Sequence, residues 1–178
     1  MDPVARSPRD AARPVSHVDV ARYRDAVGRF PTGVTVLTAH RDGLHHGMTA
    51  NSFTSVSLDP VLVLVCVARS ARLHELILAA GEWGVSVLAA DAAEVSARFA
   101  SRGRALGEAL AGVPHHFGSY TGAALLDDAL ATFECRTVEV YPGGDHTVLL
   151  GEVLDVAVPR PDAAPLVHYR GQYHSTDW

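Results

Sequence analysis

Cysteine is scarce in this 178-residue chain: there are two, Cys66 and Cys135, and no C-x-x-C spacing. That argues against a zinc ribbon or a dithiol redox pair. Cys66 lies inside the apolar run 61–67 and Cys135 in an alternating segment, so both read as buried thiols acting as small hydrophobes. Such a composition suits the cytoplasm. Basic residues are in the minority, 15 against 20 acidic ones, for a formal net charge of -5. A broad nucleic-acid surface would need the opposite balance. The N-terminal stretch MDPVARSPRDAARPVSH has no apolar core, which excludes a signal peptide or membrane span there. Residues 1–16 are expected to form a flexible tail or a dimer-wrapping arm, ahead of one domain over 17–178.

Several motifs are missing as well. No G-x-G-x-x-G follows a strand, and there is neither a G-x-x-x-x-G-K-[ST] loop nor a G-x-S-x-G nucleophile turn. Ten histidines invite a metal reading, but His45-His46 and His115-His116 are adjacent pairs that a strand points to opposite faces. No metal site is expected.

What remains is an ordinary globular composition, 48% hydrophobic and 20% charged, long enough to bury a core. Ser16 or Asp19 can cap a first helix, along which Val20, Tyr23, Val27 and Phe30 form one apolar stripe. Residues 33–41 are β-branched and alternating, Asp42-Gly43 is a hairpin signal, and a second strand runs over 44–50. A short strand over 53–58 precedes the apolar run 61–67, which predicts a strand covered on both faces. Leu73, Leu76, Ile77 and Ala80 mark a helix ended by Gly81, and 83–89 is a further strand. Asp91 and Glu94 have the spacing of a capping box before a third helix carrying Val95 and Phe99. Residues 102–124 read as a Gly-rich surface excursion. Beyond them, Ala131, Phe133 and Cys135 share one strand face, a bulge is expected near Thr137, and 141–145 is a turn. A long strand then covers 148–158 and a last one 167–169. About seven strands with two or three helical inserts predict a mainly β, antiparallel barrel.

Three segments carry candidate chemistry. GMTANSFTSVSLDP (47–60) clusters small hydroxyl and amide residues after a strand, where they can cradle a phosphate or line a flat heterocycle. A polar strand end in a Ser/Thr-rich loop would leave the same trace. Ala68-Arg69-Ser70 leaves the apolar strand where a helix begins, so Arg69 and free N–H groups can meet an anion; a solvated helix start reads identically. In Gly143-Gly144-Asp145-His146 the aspartate can orient the imidazole, or the segment is simply a turn.

Taken together, FPTGVTVLTA, GMTANSFTSVSLDPVLVLVCV, WGVSVLAA, GDHTVLLGEV and HYRGQYH resemble, in order and spacing over about residues 20 to 178, the flavin reductases that serve two-component flavin monooxygenases. The resemblance implies an FMN-binding split barrel, a homodimer with flavin sites near the subunit interface, and FMN or FAD reduced by NADH or NADPH for a partner monooxygenase. It places Thr49, Ala50, Asn51 and Ser52 along the isoalloxazine and ribityl chain. Ser55 falls near the phosphate, with Ala68, Arg69 and Ser70 adding contacts. Arg98, Phe99 and Ala100 border the flavin, and Thr32 is a further candidate from the PTG turn. His146 faces the nicotinamide, with Tyr169, Arg170 and Tyr173 on that side. Hydride transfer between two cofactors needs no acid–base side chain, so no catalytic residue is expected. A non-enzymatic flavin binder, and a barrel holding haem, a pyridoxal cofactor or another small ligand, are the alternatives.

Overall fold

A computed structural model describes residues 18–101 and 107–175 of the chain. The expected tail 1–16, and Ser16 as a cap, lie outside the described residues. Asp19 is the cap: its carboxylate accepts the Arg22 N–H at 2.9 Å and starts α1 (Val20–Val27). β1 (Thr32–Gly33) and β2 (Thr35–Arg41) follow, and the Asp42-Gly43 turn, both residues at positive φ (53° and 77°), returns the chain into β3 (Leu44–Ala50). Two positive φ values at the centre of a two-residue loop match the twist of the flanking strands, which is why Asp-Gly signals the hairpin.

β4 (Thr54–Leu58), β5 (Val61–Ala68), α2 (Leu73–Ala80), β6 (Glu82–Val87) and α3 (Ala93–Ala100) come next. The remaining strands are β7 (His115–Phe117), β8 (Ala124–Leu126), β9 (Ala131–Gly143), β10 (His146–Ala157), β11 (Leu166–Tyr169) and β12 (Gln172–Ser175). One seven-stranded sheet has the order β3-β2-β6-β9-β10-β5-β4; β1-β11-β12 and β7-β8 form smaller sheets, and every pairing is antiparallel. The seven long strands are those the alternation predicts. Of the other five, β11 matches the strand expected over 167–169; β1, β7, β8 and β12 have two to four residues, too few for a period to register. No helix among the described residues is long and apolar enough to cross a membrane.

Two buried clusters fill the fold. One gathers Leu37, Val65, Leu73, Ile77, Trp83 and Leu149; the other gathers Val36, Leu88, Phe99, Leu110, Leu126 and Leu166. The second corrects the reading of 102–124 as a surface excursion, because Leu110, Ala124 and neighbouring residues are buried there. β7 also lies against the β2–β3 hairpin. His40 and His45, partners across that hairpin, stack at 4.9 Å, and Phe117 packs on His45 at 4.6 Å and on His115 at 5.4 Å.

Other expectations shift with packing. The α1 stripe exists but is not buried within the chain: Val20, Tyr23, Val27 and Phe30 are all exposed, Phe30 at 71%. β5 is buried on one face only, through Val63, Val65 and Val67. The Asp91 carboxylate does not cap α3; it takes a bidentate bond from Arg160 at 2.9 and 3.0 Å. The bulge falls at Val138, between the pairs Thr137–Gly151 and Glu139–Leu150, and the 141–145 turn narrows to Gly144-Asp145. Glu134, expected on the polar face of its strand, is buried. Its carboxylate accepts bonds from the Tyr120 and Thr121 amides and the Thr121 hydroxyl at 2.7–3.0 Å, fixing the loop before β8.

Two outcomes follow from this packing. A Cβ on Gly151 would sit 2.5 Å from Cζ2 of the fully buried Trp83. Gly151→Ala is expected to cost about 1–3 kcal/mol, read as a lower urea midpoint with an unchanged slope. Burial, then the neighbouring His40 and His115, hold the His45 pKa below 6.5. The unfolded chain therefore takes up that proton first on acidification, and stability falls as pH drops below about 6.5. His45→Phe should flatten that part of a thermal-stability profile between about pH 7 and pH 5.5.

Candidate functional site

β3 is an edge strand, paired among the described residues with β2 alone. An edge strand keeps unpaired N–H and C=O groups along its outer side. Here that side opens on a cavity of about 350 Å³, walled by His46–Thr49 of β3, Ala68 at the end of β5, Ser70–Leu73 at the start of α2, Phe99–Ser101 at the end of α3, and Ala109. The volume is at the small end of the range for ligand sites, roughly 300–1,000 Å³.

Glycine at position 47 makes the floor possible. A Cβ there would stand 2.8 Å from Phe99 Cε1 and 3.1 Å from the Leu37 carbonyl oxygen, so glycine is what lets the Phe99 ring approach the strand this closely. The floor is apolar, through Met48, Leu73, Phe99 and the alanines 68, 71 and 100. The rim at α2 is polar: Ser70 and Arg72 line it, and no side chain caps the first turn of the helix. A helix start with uncapped N–H groups favours an anion.

Of the residues singled out in the sequence, Thr49, Ala68, Ser70, Phe99 and Ala100 line this cavity. The rest of the TANS block does not. Ala50 is buried and its carbonyl accepts the Thr35 hydroxyl at 2.8 Å; Asn51 is exposed. The Ser52 hydroxyl both accepts the Cys66 N–H at 3.0 Å and donates to the Cys66 carbonyl at 3.1 Å. Ser55 is exposed on β4, opposite Val63. The strand segment at the cavity is thus shifted upstream, to 46–49.

Arg98 does not line the cavity. Its guanidinium donates to the carbonyls of Glu108, Ala109 and Ala111, holding in place the short 3₁₀ turn Glu108–Leu110 that brings Ala109 to the wall. The Thr49 hydroxyl donates to the Ser96 carbonyl at 2.6 Å, and the buried Ser96 hydroxyl donates to the Tyr173 phenol oxygen at 2.8 Å. That chain ties β3, α3 and β12 together. Thr32 is paired with His168, and its buried hydroxyl has no hydrogen-bond partner among the described residues. Tyr169 packs edge-on to His174, and Arg170, at φ 51°, donates its N–H to the Gly28 carbonyl at 2.8 Å.

His146 does not line the cavity but stands next to it. It is the register partner of Ala68, a lining residue, and its Nδ1 lies 2.7 Å from the Asp145 carboxylate. The bond to His146 holds the Asp145 carboxyl below the usual carboxylate range. The Asp145 carbonyl accepts the exposed Arg69's N–H at 2.9 Å, so the β9–β10 turn is tied to the exit of β5. Gly47 and Met48 open the candidate segment 47–60 and line the cavity; sequence reasoning missed His46, Ala71, Arg72, Leu73, Ser101 and Ala109. His46 and the α2 start were contiguous with singled-out motifs, whereas nothing local marks Ala109. Among the described residues no cluster of three His, Cys, Asp or Glu side chains could hold a metal.

Residues 27–177 match the family model described as a flavin reductase like domain. An NADH-dependent FMN reductase of Streptomyces nodosus subsp. asukaensis is 42% identical over 154 residues, covering 85% of this chain and 82% of that protein. The reductase subunit HsaB of a flavin-dependent monooxygenase from Mycobacterium tuberculosis is 35% identical, covering 89% and 83%. An NADH:FAD oxidoreductase of Streptomyces globisporus, solved with NAD and FAD fragments, superposes with a TM-score of 0.85 at 37% identity, over 93% of this chain and 98% of that one.

The Thr49–Ser96–Tyr173 chain yields a test. Tyr173→Phe removes the acceptor of a fully buried hydroxyl and is expected to lower stability by about 1 kcal/mol, measured by chemical denaturation. An unchanged midpoint would show that Ser96 finds another partner without cost.

Proposed function

The chain belongs to the flavin reductase like family, and from that premise we propose that it oxidises NADH or NADPH and reduces FMN or FAD, which then serves a partner monooxygenase. The observation that carries the reading is the cavity on the free edge of β3, with an apolar floor of Met48, Leu73 and Phe99 and a polar rim at the start of α2.

The residues present fit a flavin. A tricyclic ring needs flat apolar support and backbone donors and acceptors along one edge, and Phe99 with the outer side of 46–49 offers both. A phosphate needs a cation or hydrogen-bond donors, and Ser70 and Arg72 on the α2 rim supply them. A bound flavin would supply the hydride acceptor, and a nicotinamide the hydride. The chain's own residues position and orient. Phe99 and the outer side of 46–49 would support the flavin, Thr49 fixes β3 against α3, and Asp145 fixes the His146 ring beside Ala68, where a nicotinamide would lie. Backbone N–H groups of the strand edge would face the negative charge that builds on a reduced ring, a term that grows in a dry cavity. No side chain is assigned to an acid–base step.

Three finer statements accompany this reading. The main sheet and its flanking strands curl into a split barrel. The exposed stripe of α1, with Val138, Val140, Tyr141 and Val156 on the outer long strands, is covered by a second copy, making a homodimer. The protein works in the cytoplasm. Asn51, Ser52 and Ser55, which stand away from the cavity within one chain, then reach the flavin only if the bound ring extends past the strand end.

Steady-state oxidation of NADH and NADPH with FMN, FAD and riboflavin in turn tests the activity, and absence of turnover with every pair would refute it. Within the same assay, His146→Ala should raise KM for the nicotinamide about tenfold while kcat falls less than about threefold. The reverse pattern, kcat lost at unchanged KM, would give His146 a part in the transfer step.

A further inference from the structure

His74 is the second residue of α2, it is buried, and neither the cavity lining nor any step above uses it. Its Nε2 lies 2.8 Å from the Thr147 hydroxyl on β10, and its Nδ1 lies 2.9 Å from the Glu75 carboxylate. Thr147 is buried as well and directly follows His146. A neutral ring protonated on Nδ1 donates to Glu75 and accepts the threonine hydroxyl; a cationic ring donates to both. The link from α2 to β10 holds in either state.

The arrangement has the outline of a hydroxyl–imidazole–carboxylate relay. Thr147 is buried and does not line the cavity, however, and relay chemistry requires a nucleophile within reach of substrate. Its geometry instead suits a strut. The segment between β5 and α2 is held to the start of β10 at two points: the Arg69 N–H donates to the Asp145 carbonyl, and the His74 ring meets Thr147. Between the two points lie Ser70, Ala71, Arg72 and Leu73, all of which line the cavity.

We propose that His74 is a positioning residue, bracing Ser70–Leu73 through Thr147 so that the polar rim of the cavity distinguishes a phosphorylated flavin from riboflavin. The inference rests on the reading above that this rim receives the flavin phosphate. Bracing matters because a charge-assisted bond to phosphate is worth most when its donors are held in place beforehand. Leu73 remains anchored in the core without the strut, so the fold should survive its loss while the donors at 70–72 gain freedom.

The test is equilibrium binding of FMN and of riboflavin to the full chain, followed by flavin fluorescence, with thermal unfolding alongside. Thr147→Val and His74→Leu should each weaken FMN binding about tenfold, equivalent to about 1.4 kcal/mol, and change riboflavin binding less than about twofold. His74→Gln, which keeps a hydrogen-bonding nitrogen near the Nε2 position, should stay within about threefold of the natural chain for FMN. Equal weakening for both flavins would mean a general structural role and would overturn the proposal, as would wild-type FMN affinity in Thr147→Val. A Ser70→Ala, Arg72→Ala double variant separates the premise from the inference. If it leaves the FMN preference untouched, the phosphate does not sit at this rim and both fall. If it abolishes the preference while the Thr147 and His74 variants retain it, the placement stands and the strut is wrong.

Discussion

The close approach of the Phe99 ring to Gly47 governs the geometry of the site. A methyl group at position 47 would meet that ring at 2.8 Å, so α3 can lie against β3 only because the strand carries no side chain there. With α3 in place, the outer side of β3 is covered without being paired. An exposed edge strand invites pairing with another chain; this one is partly shielded by a helix that leaves room for a small flat molecule. Thr49 adds the polar half of the same contact by donating to the carbonyl of Ser96.

The hydroxyl groups around the site are largely committed to the protein. Thr49 and Ser96 tie β3 to α3 and β12, while Ser52 bonds both backbone groups of Cys66 in place of a ladder partner. Buried polar groups are costly when unpaired, so a Ser/Thr-rich block next to a core spends its hydroxyls on the backbone first. What faces the cavity from β3 is therefore mostly backbone and apolar surface, which suits a ligand whose own edge supplies complementary donors and acceptors. Ser70 and Arg72 add polar side chains at the start of α2, Ser101 adds one at the end of α3 and His46 one on β3, while His146 of the β9–β10 turn is paired with Ala68.

Much of this could be read from the chain alone, and the exceptions have physical reasons. The seven long strands, all three helices, the Asp-Gly hairpin and the bulge beside Thr137 were legible because alternation, helical spacing and turn chemistry are local. The capping role of Asp91 was not, because Arg160, far along the chain, outcompetes the helix end for its carboxylate. Glu134 reads as a solvent-facing residue until the Thr121 loop folds over it. The site was legible to within a few strand residues: the motif block 47–60 begins at the cavity, but its Asn51 and Ser52 do not line it, and the lining starts one residue upstream, at His46. Alternation says which residues share a face; it cannot say which part of an edge strand a distant helix leaves open. Ala109 was invisible for the same reason, since it reaches the wall through a guanidinium bonded across the loop.

The α1 helix shows the converse case, in which helical spacing is present without burial in the chain's own core. Val20, Tyr23, Val27 and Phe30 recur at helical spacing, yet the stripe meets no core within the chain. A helix of eight residues is marginal by itself in water, and the Asp19 cap gives this one local support. The long β9–β10 ribbon also carries exposed apolar residues, Val138, Val140, Tyr141 and Val156, and the successive Val140 and Tyr141 place them on both of its faces. Both sets of residues lie outside the two buried clusters, so spacing in the sequence marks an apolar stripe without saying whether a core within the chain receives it.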